Sequence, residues 1–314
     1  MIPTSWLKRA VAAVATVTAA LLLAGCSPAS VAAPSGVTVQ AASAKSNSTI
    51  LDVGGVRRVI TIFDVQSHAS ALEPAIILLH GASATSRRME SQTGMTALGR
   101  QHGFVVAYGD GTTTGRPVGG EAWNAGRCCA AAVTNKVDDI AYLNSVIDTL
   151  IAKHHVDPRR VYIGGFSNGG MMSYRAACAI GDRLAGVAVV SGALNLEECA
   201  APKALPLLII HGLDDPTVPY DGGPPNPITA GKLGTWQNAS VAESAGFWST
   251  RDGCTAHKTT TETAILTDDV YSGCDAGTTL SIVTVLAGTH HWPTKLIEGF
   301  DASEFIVKYF GLGG

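Results

Sequence analysis

Residues 160–177 constrain the fold more than any other stretch of this chain. Arg160-Val161-Tyr162-Ile163-Gly164 runs without a spacer into Gly165-Phe166-Ser167-Asn168-Gly169-Gly170, and Met171, Met172, Tyr174, Ala176 and Ala177 continue in a helical pattern. Strand, G-x-S-x-G, helix is the signature of a nucleophile elbow, in which a serine sits on a strained turn with its hydroxyl above the edge of a sheet. Glycines two positions to either side are needed because a Cβ there would strike the neighbouring strand or helix. Asn168 follows the serine, so its backbone N–H faces the place where an oxyanion would develop.

A turn of this kind needs parallel strands around it. Residues 75–79, 104–108, 161–164, 185–190 and 205–210 are short apolar runs bounded by Gly, Pro or His, as strands buried on both faces tend to be, while residues 59–65 alternate apolar and polar. Helical patterns separate them. The clearest puts Val137, Ile140, Leu143, Val146, Ile147, Leu150 and Ile151 on one face, with Asp138 and Asp139 at its start, where acids suit the helix dipole. The alternation predicts an α/β fold with a mostly parallel, doubly wound sheet and helices on both faces, in one domain over residues 49–314.

A serine hydroxyl needs a base and an orienting acid, and in this fold they follow it in the order acid, then histidine. Leu207-Leu208-Ile209-Ile210-His211-Gly212-Leu213-Asp214-Asp215 is a buried strand emptying into a turn that carries two acids, of which Asp215 is the preferred candidate. Residues 280–286 read as a further strand, ending in Ala287-Gly288-Thr289-His290-His291-Trp292-Pro293, and a histidine of that loop can reach the serine. The second oxyanion donor is expected from Ala82, just past Leu79-His80-Gly81. His80, placed before that loop, reads as a structural hydrogen-bonding residue. Trp123 and Trp292 are candidates to flank the substrate.

The N-terminus reads as an address. Lys8 and Arg9 precede an uncharged Ala/Val/Leu-rich stretch, residues 10–23, that is short of the roughly 20 apolar residues a membrane span needs. It ends in Leu23-Ala24-Gly25-Cys26, small residues before a cysteine, as in a lipoprotein signal. The expectation is a signal peptide over 1–25, lipidation of Cys26 by two acyl chains, and export to the cell envelope; an ordinary secretory signal with an incidental Cys26 also exports the chain. Residues 26–48, small and nearly uncharged, are expected to be a disordered tether.

Of the seven cysteines, the six after Cys26 form an even set in an exported chain, which points to disulfides. Zinc is disfavoured because no pair has C-x-x-C spacing and the histidines do not cluster with the cysteines. No metal or cofactor is implied. A formal net charge of −3 with scattered Lys and Arg argues against nucleic acid. The membrane enters only through the anchor, and the expected partner is a neutral ester, small or polymeric.

Taken together, these motifs resemble the secreted α/β-hydrolase esterases grouped as polyhydroxybutyrate depolymerases, feruloyl esterases and acetylxylan esterases, including lipoprotein members. The resemblance runs from about Val53 to Phe310. It is carried by Leu79-His80-Gly81, residues 104–108, Trp123-Asn124-Ala125-Gly126 with Cys128-Cys129, Lys136-Val137-Asp138-Asp139, the serine elbow, His211-Gly212 with Asp215 and Val218-Pro219-Tyr220, and Gly288 with His290, Trp292 and Pro293. It implies Asp215 as the acid, His290 as the base and a disulfide between Cys254 and Cys274, and leaves the pairing of Cys128, Cys129, Cys178 and Cys199 open. Gly109, where the family usually has proline, and Thr294, where it commonly has glycine, depart from the pattern in loops near the site, so they bear on substrate preference. The resemblance implies a serine carboxylic-ester hydrolase acting on feruloyl or acetyl polysaccharide esters or on hydroxyalkanoate esters. A peptidase on the same fold and a non-catalytic polymer-binding surface lipoprotein are the rival readings.

Overall fold

The computed structural model describes residues 45–64, 72–113, 120–200 and 203–313. The expected signal peptide, Cys26 and the tether up to residue 44 lie outside them. The remaining four residues assigned to the tether do not behave as one: strand β1 (Lys45–Val53) pairs antiparallel with β2 (Val56–Asp64), Lys45 opposite Asp64. Pairing at a sheet edge uses the backbone, so a segment without large side chains can still join a ladder.

Then come β3 (Glu73–Leu79), α1 (Ser86–Thr93), α2 (Met95–His102), β4 (Val105–Gly109) and a small ribbon of β5 (Thr112–Thr113) with β6 (Glu121–Ala122). Next are α3 (Ala130–Thr134), α4 (Asp139–Lys153), β7 (Val156–Phe166), α5 (Asn168–Ile180), β8 (Gly186–Val190) and β9 (Leu207–Gly212). The chain closes with α6 (Pro227–Leu233), α7 (Val241–Arg251), β10 (Ala256–Thr263), β11 (Leu266–Ser272), β12 (Leu280–Val285) and α8 (Ala302–Phe310). Among the described residues, no helix is long and apolar enough to cross a membrane.

The main sheet has the order β1-β2-β4-β3-β7-β8-β9-β12-β11-β10. Its centre, β4 to β12, is parallel throughout, and an antiparallel pair extends it on each side. Side chains alternate across a strand, so β3 feeds two cores at once. Ile77 and Leu79 pack in the cluster that holds Leu143 of α4 and Met172 of α5; Ile76 and Leu78 pack in the one that holds Met89 of α1 and Ile306 of α8. Burial on both faces is why these strands read as continuous apolar runs.

Helix α4 shows how the two acids at its start divide their work. Asp138 caps it, accepting the Ala141 N–H at 2.9 Å. Asp139 is buried, pairs with Arg58 of β2 at 2.8 Å and accepts the Asn124 N–H at 2.7 Å. Burial pushes its carboxyl above the ordinary carboxylate range, against the pull of Arg58. The Arg58 guanidinium also lies 4.1 Å over the Tyr142 ring. Three disulfides pair Cys128 with Cys129, Cys178 with Cys199, and Cys254 with Cys274.

Candidate active site

The elbow places Ser167 between β7 and α5 at φ 54° and ψ −120°, a left-handed conformation that costs a non-glycine residue about 1–3 kcal/mol unless its surroundings hold it. Two hydrogen bonds hold it here: the Ser167 N–H donates to Val190 O of β8 at 2.9 Å, and its carbonyl accepts the Met171 N–H at 2.9 Å. A Cβ on Gly165 would collide with the Gly169 backbone, and one on Gly169 with the backbone of Leu79 and His80. The two glycines therefore let α5 seat directly on the end of β3.

Ser167 Oγ lies 2.9 Å from His290 Nε2, and His290 Nδ1 lies 2.7 Å from Asp215 Oδ2. The other Asp215 oxygen accepts the N–H groups of Thr217 at 2.8 Å and Val218 at 2.9 Å. Burial alone would raise the Asp215 carboxyl, but the hydrogen bond and charge of His290, the Val218 N–H and His211 outweigh it and hold the group below its ordinary range. The loops carrying acid and base are tied together, Leu213 N–H to Val285 O and Asp214 N–H to Gly288 O, each at 3.0 Å. Of each doublet, His290 meets Ser167 and Asp215 meets His290; Asp214 is exposed, and His291 is exposed with Nδ1 2.7 Å from Thr289 Oγ1.

His211 entered the sequence reading only as part of a motif, yet it stands beneath the acid. It is buried, its Nε2 is 2.8 Å from Val218 O and 3.5 Å from Asp215 Oδ2, and burial pushes its imidazole below the usual histidine value despite the pull of Asp215. A neutral ring donating from Nε2 fits that setting.

Ala82 and Asn168 both line the cleft at Ser167, and among the described residues neither backbone N–H has an acceptor. Their setting is built by Trp123 and His80. Trp123 N–H donates to Asn168 Oδ1 at 2.8 Å, Asn168 Nδ2 donates to Trp123 O at 3.1 Å, and the indole N–H donates to His80 O at 2.9 Å. His80 Nε2 accepts the Gly111 N–H at 3.0 Å, leaving Nδ1 as donor to Gly81 O at 2.8 Å.

This corrects the expectation for both tryptophans. Trp123 is 0 % and Trp292 1 % exposed, and neither lines the cleft. Both rings are fully buried and so have no face for a substrate; their indole N–H groups are satisfied inside the protein, that of Trp292 by Ser303 Oγ at 3.0 Å. Among the described residues, Phe166 of the elbow and Trp236, after α6, are the phenylalanine and tryptophan that line the cleft, and sequence reasoning missed Trp236. Asn226-Pro227 marks the start of that helix, with Asn226 accepting the Thr229 N–H at 3.0 Å, and was the available signal.

The cleft encloses about 640 Å³. Besides the serine, histidine and the Gly81-Ala82 turn, Cys128, Cys129, Met171, Leu233 and Trp236 provide apolar wall, and Arg88 of α1 and Lys232 of α6 provide charge. Elsewhere, His80, Asp110 and Glu121 bring one potential metal-ligating atom each within 4.8 Å of one another. Two of these residues already have partners, since His80 Nε2 accepts from Gly111 and Asp110 Oδ1 accepts the Ser86 N–H at 2.6 Å.

A ten-stranded sheet with a serine elbow after one central strand, and an aspartate and a histidine on loops after two others, defines an α/β-hydrolase-fold protein. Within that class the chain belongs to the phospholipase/carboxylesterase family, whose model matches residues 60–224. It is 31 % identical over 241 residues to feruloyl esterase B of Piromyces equi, covering 74 % of this chain and 42 % of that protein. It is 30 % identical over 132 residues to poly(3-hydroxyalkanoate) depolymerase C of Paucimonas lemoignei, covering 41 % of this chain and 30 % of that protein. The matched part is thus less than half the length of either relative. The solved acetyl xylan esterase from Aspergillus awamori shares the fold, with a TM-score of 0.61 at 15 % identity over 86 % of this chain and 99 % of that one. The family resemblance read from the motifs is borne out by these matches.

Proposed function

We propose that this chain is an exported serine carboxylic-ester hydrolase, anchored to the cell envelope through lipid on Cys26, that works through Ser167, His290 and Asp215. The observation that carries the reading is the continuous hydrogen-bonded chain from Ser167 Oγ through His290 to the buried Asp215, opening on a cleft beside two backbone N–H groups that have no acceptor among the described residues.

In this mechanism His290 Nε2 takes the Ser167 proton as Oγ attacks the ester carbonyl, while Asp215, itself held by two backbone N–H groups, fixes the ring and stabilises the imidazolium. The tetrahedral oxyanion is stabilised by the N–H groups of Ala82 and Asn168. His290 returns the proton to the leaving alcohol, and water repeats the cycle on the acyl-enzyme. The relatives' names, a feruloyl esterase and a poly(3-hydroxyalkanoate) depolymerase, support esters of polysaccharides or hydroxyalkanoates as substrates.

The test is Ser167→Ala in the full-length protein, assayed on a panel of feruloyl, acetyl and hydroxybutyrate esters beside peptide substrates. Loss of ester turnover by about 10⁶ in kcat, with unfolding unchanged, is the expected result. A mutant keeping a tenth of wild-type turnover would remove Ser167 as nucleophile, and wild-type turnover of peptides alone would replace esterase by peptidase.

A further inference from the structure

The cleft holds a charge distribution that ester hydrolysis does not itself require. Arg88 reaches it from α1, after β3, and Lys232 from α6, after β9, so the two come from elements that follow strands on opposite sides of β7 in the sheet. No aspartate or glutamate lines the cleft among the described residues. Within the same residues neither cation is ion-paired, as is also true of Arg57, Arg87 and Lys308, so what sets Arg88 and Lys232 apart is their place in the cleft wall. The whole chain carries a formal net charge of −3, so a cationic cleft is not a sample of a generally basic surface. The acid nearest the chemistry, Asp215, is buried behind His290 and already accepts from it and from two backbone N–H groups.

Two unpaired cations at a concave site with low-dielectric walls focus positive potential on whatever enters it. A neutral ester carries no charge for that field to attract as it binds, whereas a carboxylate gains both attraction and, at Arg88, a guanidinium whose fork fits its two oxygens. We infer that the substrate is an acidic ester, one that carries a free carboxylate on its acyl or its alcohol part. That carboxylate meets Arg88 or Lys232 while the ester carbonyl lies at Ser167 and the apolar remainder packs on the wall of Cys128, Cys129, Met171, Leu233 and Trp236. The inference rests on the serine-hydrolase reading and names the substrate class for that site.

The experiment compares matched esters on the full-length protein. For an acyl-side carboxylate the pair is 4-nitrophenyl hydrogen adipate and its methyl ester; for an alcohol-side carboxylate it is 4-acetoxybenzoate and its methyl ester. The readout is the ratio of kcat/KM, acidic to neutral, taken within each protein so that any loss of folded enzyme cancels. Exposed charge contacts correspond to about 1.4- to fivefold each, so the wild-type ratio should exceed one by about that factor or more for at least one pair. It should fall in Arg88→Gln and Lys232→Gln, approach one in the double variant, and shrink as salt rises from about 0.05 to about 0.5 M. The pair that responds identifies which side of the ester bears the charge. A wild-type ratio of one or less for both pairs, or a ratio unchanged in the double variant, overturns the inference. Turnover surviving in Ser167→Ala would overturn the serine reading alone, because the ratio is read in whatever turnover the cleft supports.

Discussion

Gly169 offers a test in which two physical effects predict opposite signs. It stands in the first turn of α5, and helix propensity alone says that Gly→Ala should stabilise by about 0.5–1 kcal/mol. Packing says otherwise. A Cβ there would sit 2.5 Å from the Leu79 carbonyl carbon and 2.6 Å from His80 O, about 1 Å inside the roughly 3.5 Å at which such atoms rest. Both are backbone atoms of β3 and the turn after it, so no rotamer change relieves the overlap; the start of α5 must move instead. Overpacking of this kind costs about 1–3 kcal/mol, and a shift of about 1 Å in Ser167 and the Asn168 N–H relative to Ala82 costs about 10² in rate. Gly246, exposed in the middle of α7 with nothing within 4 Å of its Cβ position, is the control in which propensity acts alone. Urea unfolding should show Gly246→Ala more stable than wild type and Gly169→Ala less stable. Ester kcat/KM and the rate of fluorophosphonate labelling should fall about a hundredfold only in Gly169→Ala. If Gly169→Ala matched Gly246→Ala in stability and kept wild-type turnover, the close seating of α5 on β3 would be wrong as an account of the elbow.

The doublets give the next expectation: Asp215→Asn should cost about 10⁴ and His290→Ala about 10⁶ in kcat, while Asp214→Asn and His291→Ala stay within a few-fold, and a reversal in either pair in steady-state assays would reassign the acid or the base. Trp123→Phe leaves the buried His80 carbonyl without its donor, which should cost about 1–3 kcal/mol of stability, so a change confined to KM with no loss in unfolding free energy would restore the ring to substrate contact. His211 supplies a pH test. Its folded pKa lies below the ordinary value near 6.5, so below that pH the unfolded state binds more protons and the folded state loses stability as acid is added. The stability advantage of wild type over His211→Gln should therefore narrow between about pH 6.5 and 5 in urea titrations, and an advantage that widened with acid would contradict a neutral ring.

The parallel centre of the sheet was legible because burial on both faces favours apolar residues: β8 falls within the run at 185–190, and β9 begins in the run at 205–210 and extends two residues past it. The elbow was legible because its glycines answer to contacts with backbone, which no other residue satisfies. The edges were harder. Strand β1 pairs through its backbone and carries no apolar alternation near Lys45, so composition assigned its first residues to a tether. Trp123 and Trp292 sit beside active-site motifs in sequence, but whether a ring faces a cleft or a core depends on which elements pack around it in three dimensions, and both are fully buried. The pairings of Cys178 with Cys199 and of Cys128 with Cys129 depend on where α5 and the loops lie, which residue spacing does not encode.

The two-way amide clasp between Asn168 and the backbone of Trp123, continued through the indole to the carbonyl of His80, joins the strand-to-helix turn and the turn after β3 into one splinted unit. Donors supplied by separate loops would have to be reorganised in each catalytic cycle; donors on a splint are preorganised when the chain folds. In the proposed mechanism Asn168 thereby holds two posts at once, its main chain at the chemistry and its side chain in the scaffold. The wall formed by α1 and α6 is not part of that clasp. On the proposed ester-hydrolase reading, changes at Arg88 or Lys232, whose side chains make none of those hydrogen bonds, can therefore redirect the cleft toward another ester without disturbing the geometry that breaks the bond, which separates the evolution of what is bound from the evolution of how it is cleaved.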